Sequence, residues 1–146
     1  MFWFLHLTFP APDHTLDFWM GKWNVYVDGK LAGADVVTSE LGGYACTEEW
    51  KGLENGDVGK SQFYYLPAQK RWKQVWITPV GVYKEKLSEP APNGVRFAGK
   101  VFLPAGRTIE DRTTLTRMPG GRVHQVIEAK IKGVWTTRFD AIYRRD

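Results

Sequence analysis

Glu48, Gln74, Arg112 and Gln125 are the side chains of this sequence whose types and placement could do chemistry together. Each falls in phase with a run of apolar and aromatic residues that alternates with polar ones, so each is expected to point inward among them. A carboxylate in such surroundings stays charged only if it is paired. Glu48 with Arg112 is the pair that strand phase permits, and the two glutamines would complete the hydrogen bonding. Such a cluster would orient a ligand's carbonyl or carboxylate. In an enzyme, Glu48 would serve as a general base while Arg112 stabilised an oxyanion. In a structural protein the same residues would be an inert internal network, because paired buried ions perturb pKa values outside active sites too. Thr114 shares the phase of Arg112, and Glu85 shares that of Tyr83 and Leu87.

The other reactive residue types are few. His6, His14 and His124 are the only histidines, and no two stand at ligand spacing on one element. His124 shares a face with Arg122, Glu128 and Lys130, which predicts a solvent-facing side chain; an axial haem ligand would have to face inward. Cys46, the lone cysteine, excludes an internal disulfide and a cysteine zinc site, and suits a reducing, cytoplasmic setting. Its phase makes it a small buried hydrophobe. Asn55-Gly56-Asp57-Val58-Gly59 is glycine-rich but joins two strands instead of opening a helix, so it reads as a hairpin and not as a phosphate cradle. No metal and no cofactor is implied.

The elements that must position these residues follow from the hydrophobic period, which is two almost everywhere after Gly21. Strands are expected over 22–28, 31–39, 44–51, 60–66, 71–78, 82–88, 95–103, 107–117, 122–131 and 134–144, separated by turn residues such as Asp28-Gly29, Asn93-Gly94 and Lys132-Gly133. Short connections imply antiparallel neighbours in sequence order, and closing such a meander removes its exposed edges. The expected fold is therefore all-β, a closed antiparallel barrel of about 8–10 strands. A short N-terminal helix should precede it. There Pro12-Asp13 can start a turn, Leu16, Trp19 and Met20 recur at helical spacing, and Gly21 ends it as a lid on the barrel floor.

A chain of 146 residues with 43% hydrophobic content makes one domain, expected over 13–146 after an apolar arm over 1–12. The arm has no basic leader and is too short to cross a bilayer. Its Phe2, Trp3, Phe4, Leu5, Leu7 and Phe9 should cover the outer wall or the partner of a homodimer. The net charge of +4 is scattered among the strands, which argues for a solvated surface and against nucleic-acid binding. Seven Trp, six Tyr and eight Phe exceed what a compact core needs and suit the walls of an apolar pocket. By phase those walls include Trp50, Phe63, Tyr65, Trp72, Trp76, Tyr83 and Phe97, and Trp135, Phe139 and Tyr143 share one further face.

Gly21-Lys22-Trp23 at the start of the first strand resembles the opening of lipocalin-type barrels. More specifically, Leu16-Asp-Phe-Trp-Met-Gly-Lys-Trp-Asn-Val25, Glu48-Glu-Trp50, Gly59-Lys-Ser-Gln-Phe-Tyr-Tyr-Leu-Pro67, Trp72-Lys-Gln-Val-Trp76 and Gly121-Arg-Val-His-Gln125 resemble the lipocalin-like bacterial domains of the DUF1579 type. The resemblance runs from about Leu16 to Tyr143 and implies a calycin-like barrel while implying little about activity. It departs at Leu66-Pro67, where such domains often carry Asp-Pro, and in the apolar arm. It also implies that Trp23 packs at the closed end beneath a basic side chain of the last strand, a part that Arg144 or Arg138 would play. The function expected is binding of a small, largely apolar ligand with one polar or anionic group inside the barrel. The alternatives are a small barrel enzyme (cyclase, isomerase or hydrolase) using the same cavity, and a filled-barrel structural protein.

Overall fold

A sheet of period-two strands can bury its apolar face by curling on itself, and ten strands do so here. A computed structural model describes residues 8, 10–54 and 56–146. The arm residues Phe2, Trp3, Phe4, Leu5, Leu7 and Phe9, with His6 and Asn55, lie outside the described residues. The strands are β1 (Gly21–Val27), β2 (Lys30–Glu40), β3 (Ala45–Gly52), β4 (Val58–Leu66), β5 (Arg71–Ile77), β6 (Tyr83–Ala91), β7 (Gly94–Phe102), β8 (Thr108–Arg117), β9 (Val123–Ile131) and β10 (Val134–Arg144). Each pairs antiparallel with the next, and β1 pairs with β10, where Val25 stands opposite Tyr143, so the barrel closes. No described helix is long and apolar enough to cross a membrane.

The expected N-terminal helix does not form. In its place stands a single 3₁₀ turn, Asp17–Trp19, closed by Trp19 N–H on the Leu16 carbonyl at 3.0 Å and Met20 N–H on that of Asp17 at 3.2 Å. The three-residue spacing of Leu16 and Trp19 is met by one tight turn as well as by a helix, and Gly21 enters β1 at once. What the spacing achieves is burial: Leu16 and Trp19 are each 1% exposed and plug the barrel floor with Trp23, Phe63, Phe97 and Trp72.

The cation over Trp23 is Arg145, not Arg144 or Arg138. Its guanidinium lies 3.9 Å from the indole ring and donates to the carbonyls of Met20 at 2.8 Å and Phe18 at 3.3 Å. Arg144 is held by the pleat of β10 and lies over Tyr26 at 4.5 Å, whereas Arg145, one residue past the strand, is free to fold back beneath the floor. Trp23 Nε1 donates to the Trp19 carbonyl at 2.9 Å, which ties the plug to the first strand. Trp23→Ala should therefore lower the unfolding free energy by about 3–5 kcal/mol, and Arg145→Ala by about 1–2 kcal/mol. Chemical denaturation of the two variants measures both, and equal losses would mean that the cation, not the buried ring, carries the seal.

Candidate functional site

Above the floor the barrel encloses a cavity of about 370 Å³. Trp19, Phe63, Phe97 and Leu115 border its lower end, while Trp50, Trp76, Val101, Ile109, Ile127 and Phe139 line the upper part. Trp50, Asp57 and Phe139 also border a second hollow of about 700 Å³ between the hairpin tips that carry Leu31, Val58 and Val80, which places the mouth at that end. The rings of Trp50 and Trp76 lie flat on the wall because Gly33 and Gly59 stand behind them; a β-carbon at either glycine would collide with the indole.

Between the two apolar zones runs a belt of polar side chains, one or two from most strands. Ser61 Oγ donates to Glu48 Oε1 at 2.7 Å and accepts from Gln74 Nε2 at 3.0 Å. Tyr143 donates its phenolic proton to Gln125 Oε1 at 2.7 Å. On the facing wall Lys86 ion-pairs with Asp111 and donates to Thr113 Oγ1 at 2.7 Å, and Lys84 reaches Asp111 Oδ2 at 3.2 Å. Lys86 and Asp111 belong to strands on either side of β7. They meet because the residue in register between them is Gly99, which has no side chain to intervene.

The belt's charge is set by two adjacent carboxyls. Asp35, fully buried, is held well above the ordinary carboxyl range by burial and then by the negative charge of Glu48. Burial raises Glu48 too, but hydrogen bonds from Asp35 and Ser61 and the ammoniums of Lys86 and Lys84 oppose the rise. The proton of the pair therefore rests on Asp35, and Glu48 carries the charge. Among the described residues no N–H donor of ordinary geometry reaches either Asp35 oxygen, which adds to the cost of ionising it. Burial and the neighbouring Lys84 pull Lys86 down to about 8 against the attraction of Asp111. Burial pushes the Cys46 thiol up to about 12, so it is no nucleophile.

Of the residues expected at the site, Glu48, Trp50, Phe63, Gln74, Trp76, Phe97 and Gln125 border the cavity together. Tyr65 and Trp72 lie below it at the closed end, 5.6 Å apart, and Trp72 Nε1 donates to Asp13 Oδ1 at 2.8 Å. Arg112 is outside. Its guanidinium is bidentate on Glu128, at 2.8 and 3.3 Å, and lies 4.1 Å from the Trp135 ring, so it does not pair with Glu48 and does not border the cavity. The phase of β8 is the opposite one: Ile109, Asp111, Thr113 and Leu115 face in, and Thr114 accepts from Arg96 on the outer face. Tyr83 is also outside, stacked on Phe102 at 4.6 Å, with Lys84, Lys86 and Ser88 on the inner face of β6. Trp135 leaves the face of Phe139 and Tyr143 because a bulge between Thr137 and Phe139 shifts the phase of β10 and turns Arg138 to the cavity. His124 faces solvent, as its phase predicts, 2.7 Å from Asp140.

Sequence reasoning missed Asp35, Lys84, Lys86, Asp111 and Arg138. The apolar Ile109 and Leu115 flanking Asp111 were the available signal; in β6 the inner face is the more charged one, and alternation points the wrong way. No protein-family model and no curated protein matches this chain.

A carboxyl whose pKa is raised in the fold binds its proton more tightly there than in the unfolded chain. Its contribution to stability is therefore complete below the unfolded value of about 3.8 and is lost as pH rises towards the folded value. Asp35→Asn removes that penalty. The difference in unfolding free energy, variant minus wild type, should grow in the variant's favour by up to about 1.4 kcal/mol per pH unit above pH 4 until the folded value is reached. Denaturant titrations between pH 4 and 8 measure it, and a difference independent of pH would mean that Asp35 is ionised throughout.

Proposed function

We propose that the barrel binds a small, largely apolar molecule carrying one polar or anionic group. Its apolar part lies against Trp50, Trp76, Phe97 and Phe139 and its polar group at the belt. The observation that carries this reading is the enclosure of charged and amide side chains with aromatic rings around one cavity of about 370 Å³, inside the roughly 300–1,000 Å³ range of small-molecule sites. A barrel plugged by its own side chains would leave no such space. The place first given to Arg112 as cationic partner passes to Lys84 and Lys86. The reading keeps the lipocalin-like, DUF1579-type resemblance, whose motifs supply Glu48, Trp50, Phe63, Gln74, Trp76 and Gln125. It also keeps a cytoplasmic setting, which the buried Cys46 thiol suits, and a homodimer formed through the apolar arm.

A second reading is acid–base chemistry on the bound molecule. It is supported by Glu48, shifted up, and Lys86, shifted down to about 8, both bordering one cavity. Here the belt lysine, not Arg112, would be the acid or the oxyanion partner.

Nile red, a neutral apolar dye, should bind saturably at about one per chain and quench tryptophan emission. Trp76→Ala should weaken that binding by about tenfold or more, whereas Trp23→Ala, in folded protein, should leave it nearly unchanged. Fluorescence titration measures both; binding without saturation, or equal sensitivity to the two substitutions, would favour a filled barrel with a sticky surface.

A further inference from the structure

β10 uses one residue more than β9 where the two run past the cavity. Their register shifts between Thr137 and Phe139, and the residue left without a counterpart is Arg138, which is exposed and borders the cavity. A bulge re-aims the side chain it carries, and bulges gather beside functional sites for that reason. The side chain re-aimed here is the one guanidinium among the described residues that borders the cavity. The same stretch of β10 stands at an opening. It pairs with β1 only from Ile142 to Arg144, opposite Tyr26 to Asn24, so from Val134 to Ala141 its register partners all lie on β9. The outer hollow lies beside that gap, bordered by Val27 and Leu31 of the β1–β2 hairpin and by Phe139 of β10, and it meets the cavity at Trp50, Asp57 and Phe139. Arg138 is therefore open to solvent and to the cavity alike.

Charge separates the mouth from the belt. At the belt the carboxylates of Glu48 and Asp111 match the ammoniums of Lys84 and Lys86 in number, and an added anion would be buried against that balance. At the mouth the described residues put no carboxylate within ion-pair distance of Arg138. Asp57, the acid at the junction of the two hollows, accepts from Trp50 Nε1 at 3.5 Å instead. Lys30 and Glu54 border only the outer hollow. A guanidinium takes a carboxylate through two parallel N–H donors, and an anion held at the mouth keeps part of its water, which one at the belt would lose.

We propose that Arg138 is the anion-binding residue of the mouth. The ligand carries a carboxylate there in addition to the polar group it places at the belt, with its hydrocarbon between the two against Trp50, Trp76 and Phe139. The proposal rests on the ligand-binding reading above and extends the ligand from one polar group to two.

Two matched probes, 10-hydroxydecanoate and 1,10-decanediol, share a chain length and a hydroxyl for the belt and differ in the group left for the mouth. Each is used to displace Nile red from the full chain at low ionic strength. The hydroxy acid should displace the dye at a concentration about fivefold or more below that needed for the diol. In Arg138→Gln, which keeps a polar side chain and loses the charge, that advantage should shrink to about twofold or less. The advantage is a ratio taken within one variant, so general damage to the fold does not mimic its loss. Lys30→Gln removes the same charge from the same end of the barrel and should keep the advantage, which separates a contact from the field of the whole rim. No advantage of the hydroxy acid in the wild type, an advantage that survives Arg138→Gln, its equal loss in Lys30→Gln, or failure of both probes to displace the dye would each overturn the Arg138 subsite and leave the binding reading standing. Failure of the wild type to hold the dye at all would overturn both.

Discussion

The wall of this barrel has room for one negative charge where two carboxyls stand. Asp35 and Glu48 come from neighbouring strands, β2 and β3, and turn into the barrel interior, where Asp35 is fully buried and Glu48 is 5% exposed. The adjustment is local. Asp35 keeps its proton, and Glu48 keeps a charge that hydrogen bonds and two distant ammoniums can support. With that settled, the carboxylates of Glu48 and Asp111 match the ammoniums of Lys84 and Lys86 in number, with Asp111 in ion-pair contact with both lysines and Glu48 held by hydrogen bonds.

The geometry around the belt follows from what each strand leaves out as much as from what it supplies. Gly99 allows Lys86 and Asp111 to meet across β7, and Gly33 and Gly59 let two indoles lie flat and keep the upper cavity open. Below, Trp19, Trp23 and Arg145 close the floor with a cation over a ring and an indole N–H on a backbone carbonyl. The barrel is thus sealed at one end and open at the other, with polar groups at an intermediate depth. That arrangement is what the proposed binding of a small molecule requires.

Most of the fold was legible because period-two alternation and turn residues mark strands independently of what the strands enclose; all ten fall where alternation puts them, within a few residues. Which face is inward was legible only where that face is clearly apolar, as for Trp72, Gln74 and Trp76 in β5 or Cys46, Glu48 and Trp50 in β3. In β6 the inward face carries Lys84 and Lys86, and a rule that places charge outside selects Tyr83 instead; in β8 both faces carry a charge, and Ile109 and Leu115 mark the face of Asp111, not that of Arg112, as the inner one. The bulge in β10 adds a phase shift that no local pattern announces. The 3₁₀ turn was mistaken for a helix because three-residue spacing is common to both. The site was therefore half legible: its aromatic half obeys the hydrophobic rule, and its ionic half depends on partners brought together only by barrel closure.

The claim on which the rest depends is that a small molecule enters this interior. Methyl-resolved nuclear magnetic resonance, with Nile red added stepwise, tests it most directly. Val101, Ile109, Leu115 and Ile127 border the cavity, whereas Leu41, Ile131 and Val134 lie exposed away from it. The inner methyl groups should shift together and saturate at about one equivalent, with the outer ones moving little. Shifts confined to Leu41, Ile131 and Val134, or none that saturate, would contradict the account and leave a barrel whose polar belt serves only its own fold.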